Sequence, residues 1–327
     1  MRCIVMLEPQ EGLSYADQLA VAQHAERKGF EGVFRSDHYG STTGTEARAA
    51  TDAWTAIAGL GRETDRIRLG TLVTPATFRR VGVLAKAVAT AAEMAGTTPD
   101  GVPRIELGMG TGWLEQEHRA HGLPFGDLDE RYRRLTEQLE VLQGFWSRQA
   151  QPFSFDGEFV RVEEAVFRPI PEPRPRLIIG GKGPTRTPRL AARYADELNL
   201  ILPTSDDIRA RRETLDAACG DLDRDPGEVG LSAMLPVLVG AHREELHERA
   251  RRFAELVGSE REIDELLERM GRVGVVGTPE EAADRLGRAR EAGLDRVMLQ
   301  DFLPDDLEML DLVADEVVPR VAGTASA

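Results

Sequence analysis

The sequence holds only two cysteines, Cys3 and Cys219, among 327 residues. Two thiols so far apart make no disulfide framework and no metal spacing, which points to a reducing compartment and a cytoplasmic location. Long apolar runs are also missing. Hydrophobic residues make up 41% of the chain, yet none of its apolar runs approaches the roughly 20 residues of a membrane span. The longest candidate, Val229 to Gly240, is broken by Ser232 and Pro236. The chain opens directly on a strand, Cys3-Ile4-Val5-Met6-Leu7, and so reads as lacking a charged leader with a cleavage site. Positive charge is in deficit, with 41 basic against 56 acidic residues and a net charge of −15. That argues against a nucleic-acid partner, because phosphate backbones are held by a basic face. The six histidines form no ligand set, so no metal is expected. His24, His242 and His247 lie in charged helices and read as solvated, while His118 and His121 could share a helix face. Walker and Rossmann glycine spacings are absent as well.

What the sequence does have is a repeated form. Four short apolar runs end abruptly in glycines or reactive polar residues. They end in Phe34-Arg35-Ser36-Asp37-His38, Leu69-Gly70-Thr71-Leu72-Val73-Thr74-Pro75, Gly108-Met109-Gly110-Thr111-Gly112 and Gly180-Gly181-Lys182-Gly183-Pro184-Thr185. Each sits between helix-length amphipathic segments, as parallel strands do when helices cover both faces. Strands also fit Arg2–Leu7, Glu197–Leu202, Leu231–Val239 and Asp295–Gln300. Eight strand–helix units predict a (β/α)8 barrel in one domain spanning 1–327. The rhythm breaks once, at 152–168, where alternation around Asp156-Gly157 predicts an inserted β-hairpin followed by a Pro-rich connector. Thr278-Pro279-Glu280-Glu281 marks a helix start.

In barrels of this kind chemistry gathers at the carboxyl ends of the strands. Asp37 and His38 follow the second strand and would both face the mouth. His38 titrates near neutral pH and could relay a proton, although a turn cap and a surface histidine would read the same way. The segment from Gly181 to Thr187 opens a helix. Its glycines would let backbone amides approach an anion, with Lys182 or Arg186 adding charge, and an ordinary strand–helix turn is the alternative. The segment from Gly108 to Gly112 fits either a flat ring lying on the backbone or a tight turn. Leu69 to Pro75 reads as packing.

Taken in order, these stretches resemble the bacterial luciferase-like superfamily, especially its coenzyme F420-dependent oxidoreductase branch. Thr77-Phe78-Arg79, Gly110-Thr111-Gly112-Trp113, Ala191 to Asp196 and Val276 to Glu281 join the match, which spans nearly the whole chain. The resemblance implies a luciferase-like barrel, usually a homodimer, that binds deazaflavin or flavin at its mouth. By motif it places Asp37 and His38 near the ring, with His38 the proton relay. It puts a non-prolyl cis peptide at Leu72-Val73, beside Pro75, behind the ring. Thr111 and Gln116 would contact the cofactor, and Gly181, Gly183, Pro184, Arg186 and Thr187 its phosphate region. The sugar-phosphate dehydrogenases of the family carry a glutamate where this chain has Trp113, which points away from glucose 6-phosphate. The implied activity is hydride transfer between the deazaflavin C5 and a small organic substrate, with reduction of an activated C=C or C=N bond expected. An FMN-dependent monooxygenase and a barrel that binds flavin or a metabolite without turnover are the alternatives.

Overall fold

A computed structural model of the chain describes residues 1–44, 48–147 and 151–321. The strands in order are β1 (Arg2–Leu7), β2 (Gly32–Arg35), β3 (Arg68–Pro75), β4 (Ile105–Gly110), β5 (Phe153–Asp156), β6 (Arg161–Ala165), β7 (Arg176–Gly180), β8 (Glu197–Ile201), β9 (Gly230–Val239), β10 (Val275–Gly277) and β11 (Arg296–Asp301). Eight of them run in parallel in the order β11-β1-β2-β3-β4-β7-β8-β9, and β9 pairs with both β8 and β11, so the sheet closes. The (β/α)8 barrel is thus the fold. β5 and β6 form the expected antiparallel hairpin outside it. β10 was not expected. It is three residues long and rides on the end of β9, too short to show any period.

The helices are α1 (Tyr15–Arg27), α2 (Ala53–Glu63), α3 (Val81–Ala95), α4 (Glu115–Ala120), α5 (Leu128–Trp146), α6 (Arg186–Tyr194), α7 (Ser205–Gly220), α8 (Arg243–Val257), α9 (Ile263–Gly271) and α10 (Pro279–Glu291), with a final run from α11 (Leu307–Leu312) to Val321. Their starts follow from local chemistry. The Ser14 hydroxyl accepts from the Asp17 amide at 3.2 Å while Asp17 accepts from the Ser14 amide at 2.8 Å, a reciprocal cap. Asp52 and Asp127 accept from Thr55 and Glu130 amides at 2.9 and 2.8 Å. Each cap is worth about 1 kcal/mol. Among the described residues no helix is long and apolar enough to cross a membrane.

Strand alternation sorts the barrel interior into layers. At the amino end, the carboxylates of Glu106 and Glu197 hold Arg296 at 2.8 and 2.9 Å. Arg68 reaches Glu106 at 2.7 Å, and Arg176 reaches Glu197 at 3.5 Å. Above this charged floor lies an apolar layer of Ile4, Met6, Phe34, Leu72, Ile178 and Met298. The same parity brings Glu8, Ile201, Met234, Pro236 and Gln300 to the carboxyl end.

Candidate active site

All four motif stretches end β2, β3, β4 and β7, which are consecutive neighbours in the barrel. Their rim segments therefore form one arc. His38 is half-buried there, and its Nδ1 lies 2.9 Å from Glu117 Oε1. Glu117 belongs to α4, is buried, and accepts from the Tyr39 amide through its other oxygen at 3.0 Å. Burial alone would lower the His38 pKa, but the hydrogen bond and charge of Glu117 override it, and the pKa lies above the ordinary 6.5. His38 is thus biased toward the imidazolium near neutral pH. Trp113, 61% exposed, meets its ring edge-on at 5.7 Å.

Asp37 departs from the expectation that it faces the mouth. It is buried, and its carboxylate is taken by Arg79 at 2.5 Å and by the Thr74 hydroxyl at 2.8 Å. Arg79 also reaches Asp52 at 2.5 Å, and the Trp54 indole donates to Thr74 at 3.1 Å. Burial would raise the Asp52 carboxyl, yet the Thr55 amide and Arg79 hold it down at about 2. Asp37 therefore acts under the rim, locking β2, β3 and α2 together.

The Leu72–Val73 peptide is cis, and the register of β3 against β4 slips at that point. Leu72 turns into the apolar layer while Val73 stays half-buried above it. A Cβ at Gly110 or at Gly180 would lie 2.7 Å from a Val73 methyl. These two glycines thus leave room for Val73, a packing reason that the glycine-rich text could not distinguish from ring contact. Pro75 closes β3 and is buried, Thr111 is half-buried on the rim, and Gln116 is exposed on α4.

The loop after β7 divides in two. At Gly181 an added Cβ would only touch Thr187 Oγ1, at 3.3 Å. At Gly183 it would collide with the Tyr132 hydroxyl and with Thr187 Oγ1, which share a hydrogen bond of 2.9 Å. So Gly183 and Thr187 pack against α5, and the loop's open part is Gly181 with exposed Lys182. Pro184 is exposed, and Arg186, exposed too, is ion-paired with Asp129.

Among the other histidines, His242 is exposed as expected, while His24, His118 and His247 are engaged more closely than solvated side chains would be. His24 contacts Asp311 at 2.7 Å, His247 contacts Asp264 at 3.0 Å, and His242 caps α8 through Nδ1. His118 is fully buried, with Nδ1 donating to the Leu114 carbonyl at 2.7 Å and Nε2 accepting from Thr77 at 2.6 Å. That leaves it no ligand capacity. Among the described residues no three His, Cys, Asp or Glu side chains group as a metal site.

Sequence reading missed Glu117, Arg79 and Glu8. Glu117 lies on α4, and no local signal in the sequence ties it to His38, 79 residues away.

The arc has a hydrophobic step at Val73, an open glycine loop beside Lys182, which has no ion-pair partner among the described residues, and an imidazole whose pKa Glu117 raises. It fits a flat ring carrying an anionic arm. The luciferase-like monooxygenase family profile matches residues 4–296. The F420-dependent glucose-6-phosphate dehydrogenase of Microbacterium testaceum is 28% identical over 91% of this chain and 90% of its own length. The FMNH2-dependent dimethylsulfone monooxygenase of Pseudomonas putida is 31% identical over 58% of this chain and 52% of its own. In fold, an F420-dependent secondary alcohol dehydrogenase solved with an F420–acetone adduct superposes with a TM-score of 0.82, covering 98% of each chain at 21% identity. With a matching profile over most of its length and the barrel to go with it, the chain belongs to the luciferase-like monooxygenase family and is an enzyme of the oxidoreductase class.

Proposed function

We propose that the chain is a coenzyme F420-dependent oxidoreductase that reduces an activated C=C or C=N bond of a small organic substrate. The observation that carries this reading is the His38–Glu117 pair. Reducing a polarised double bond requires hydride at one atom and a proton at the other. F420, when bound, supplies or accepts the hydride at C5. His38, whose pKa the Glu117 hydrogen bond and charge raise against burial, stands on the rim as the proton donor. Glu117 fixes the ring through Nδ1 and leaves Nε2 without a partner among the described residues. Val73 would support the ring from below, Thr111 and Gln116 would meet it at the rim, and the Gly181 loop with Lys182 would hold the phosphate. The M. testaceum relative supports F420 through its name and its coverage. A homodimer of single-domain chains in the cytoplasm completes the proposal.

A second reading, an FMN-dependent monooxygenase, is favoured by the P. putida relative. Equilibrium titration separates the two. The F420 dissociation constant is expected to lie at least about tenfold below that for FMN, roughly 1.4 kcal/mol. Equal or tighter FMN binding overturns the F420 assignment.

A further inference from the structure

Above the apolar layer, the inward positions of the barrel carry one more charged group. Glu8 follows β1, is buried, and accepts from Gln300 Nε2 at 2.6 Å and from Gln10 Nε2 at 2.7 Å. Gln10 is itself bonded to Ser36 and, at 3.3 Å, to Thr42. The amides fix the carboxylate on the mouth side of Met6, and it adds to the field that favours the protonated His38. Beside it the wall from β8 and β9 is apolar, made by the half-buried Ile201, Met234 and Pro236.

The cations of the interior are all at the other end. Arg68, Arg176 and Arg296 belong to the charged floor. Among the described residues, three cations near the rim loops are committed to carboxylates, Arg48 to Glu11, Arg79 to Asp37 and Asp52, and Arg252 to Asp305 and Asp306, while the buried Arg285 donates to the Pro203 carbonyl behind the β8 loop. Lys182 lies on the β7 loop assigned to the cofactor phosphate. Among the described residues, the cation nearest an anionic substrate in this mouth would be His38, whose charge is already balanced by Glu117, and Glu8 would stand beside it. Desolvating such a charge without a partner is prohibitive. A protonated nitrogen would instead find Glu8 in a low-dielectric setting, where a charge-assisted hydrogen bond is strongest.

We propose that Glu8 is the specificity-determining residue of the mouth, and that the substrate is a nitrogen base with an apolar body, an imine or amine rather than a phosphate or carboxylate. This inference rests on the proposed function and narrows its C=C or C=N choice to C=N. The probes are benzylamine, benzyl alcohol and benzyl phosphate, which share one apolar body and differ in charge. F420 binding is measured first by its own fluorescence, and the three probes are then titrated calorimetrically on the F420-loaded protein and on the protein alone. Benzylamine is expected to bind at least about tenfold more tightly than benzyl alcohol, and benzyl phosphate more weakly than either, with constants read up to about 20 mM. Glu8→Gln should bring amine and alcohol within about threefold of each other while F420 affinity is unchanged. Met234→Lys, which adds a cation to the opposite wall, should remove the amine preference and admit the phosphate. Benzyl phosphate binding as well as benzylamine, an amine preference that survives Glu8→Gln, or no binding by any of the three overturns the inference. Failure of F420 to bind overturns the proposed function alone, because the titration without cofactor still tests Glu8.

Discussion

At the residue scale the decisive pair is His38 with Glu117. General acid–base catalysis contributes about 10²–10⁴-fold, so His38→Ala should cut turnover within that range and leave F420 affinity largely intact. More than half of wild-type turnover from pH 6 to 9 would remove the relay role. Glu117→Gln has a distinct signature. Without the carboxylate, burial governs the imidazole and its pKa falls. An acid catalyst loses activity as pH rises through its pKa, so the alkaline limb of the pH–rate profile should move to lower pH, while activity on the acid side persists. A merely structural Glu117 would lower the whole profile without moving the limb. Asp37 belongs to stability instead. Asp37→Ala leaves the Arg79 guanidinium with Asp52 and the Tyr39 hydroxyl, and breaking a buried pair costs about 3–5 kcal/mol. Chemical denaturation should register that loss with no cofactor present.

At the scale of elements, the strand ends behave as built joints. Val73 occupies space released by Gly110 on β4 and Gly180 on β7, so β3 can carry its irregularity without opening the barrel. The β7–α6 loop is the other joint. Gly183→Val should lower the thermal midpoint of the apoprotein, because the new side chain displaces the Tyr132–Thr187 hydrogen bond between α5 and α6. Lys182→Ala, which touches no such contact, should weaken F420 binding several-fold and leave that midpoint in place. An unchanged F420 affinity in Lys182→Ala would reduce the loop to a turn.

At the scale of the whole molecule, the barrel is plugged at one end by charge and open at the other. Burial would raise the Glu106 carboxyl, but Arg296, Arg68 and Arg176 hold it down at about 2, against an ordinary 4.5. A depressed carboxyl contributes stability that is present above the ordinary value and lost as pH falls through the folded one. Unfolding by acid should therefore steepen between about pH 4.5 and 2. Glu106→Gln should remove that steep part and destabilise by about 3–5 kcal/mol near neutrality, since it takes a buried carboxylate from three arginines and leaves them only Glu197 and Glu31. Asp301 works the opposite way. Burial lifts it to about 7, and among the described residues only one oxygen has a partner, the Leu303 amide at 2.8 Å. A raised carboxyl contributes most below its ordinary 3.8 and loses that contribution as pH rises through about 7. Asp301→Asn should flatten the stability curve across that window.

Much of this molecule follows from local pattern alone. Apolar runs between amphipathic segments determined the eight strands and their order, the Asp-Gly turn determined the hairpin, and the polar run ends located the arc with His38 in it. Those signals are short-range, because a strand repeats every two residues and a helix every 3.6. Which side chains meet is not short-range. His38 and Glu117 are 79 residues apart, and Arg296 and Glu106 are 190 apart. The first contact exists only once β2, β3 and β4 pair, and the second, from β11 to β4 across the interior, only once the sheet curls into the barrel. Pairing with neighbouring strands decided that Asp37 lies beneath the rim while Glu8 faces the mouth. Both are acidic residues at strand ends, and what separates them is Arg79 beside the one and two amides beside the other.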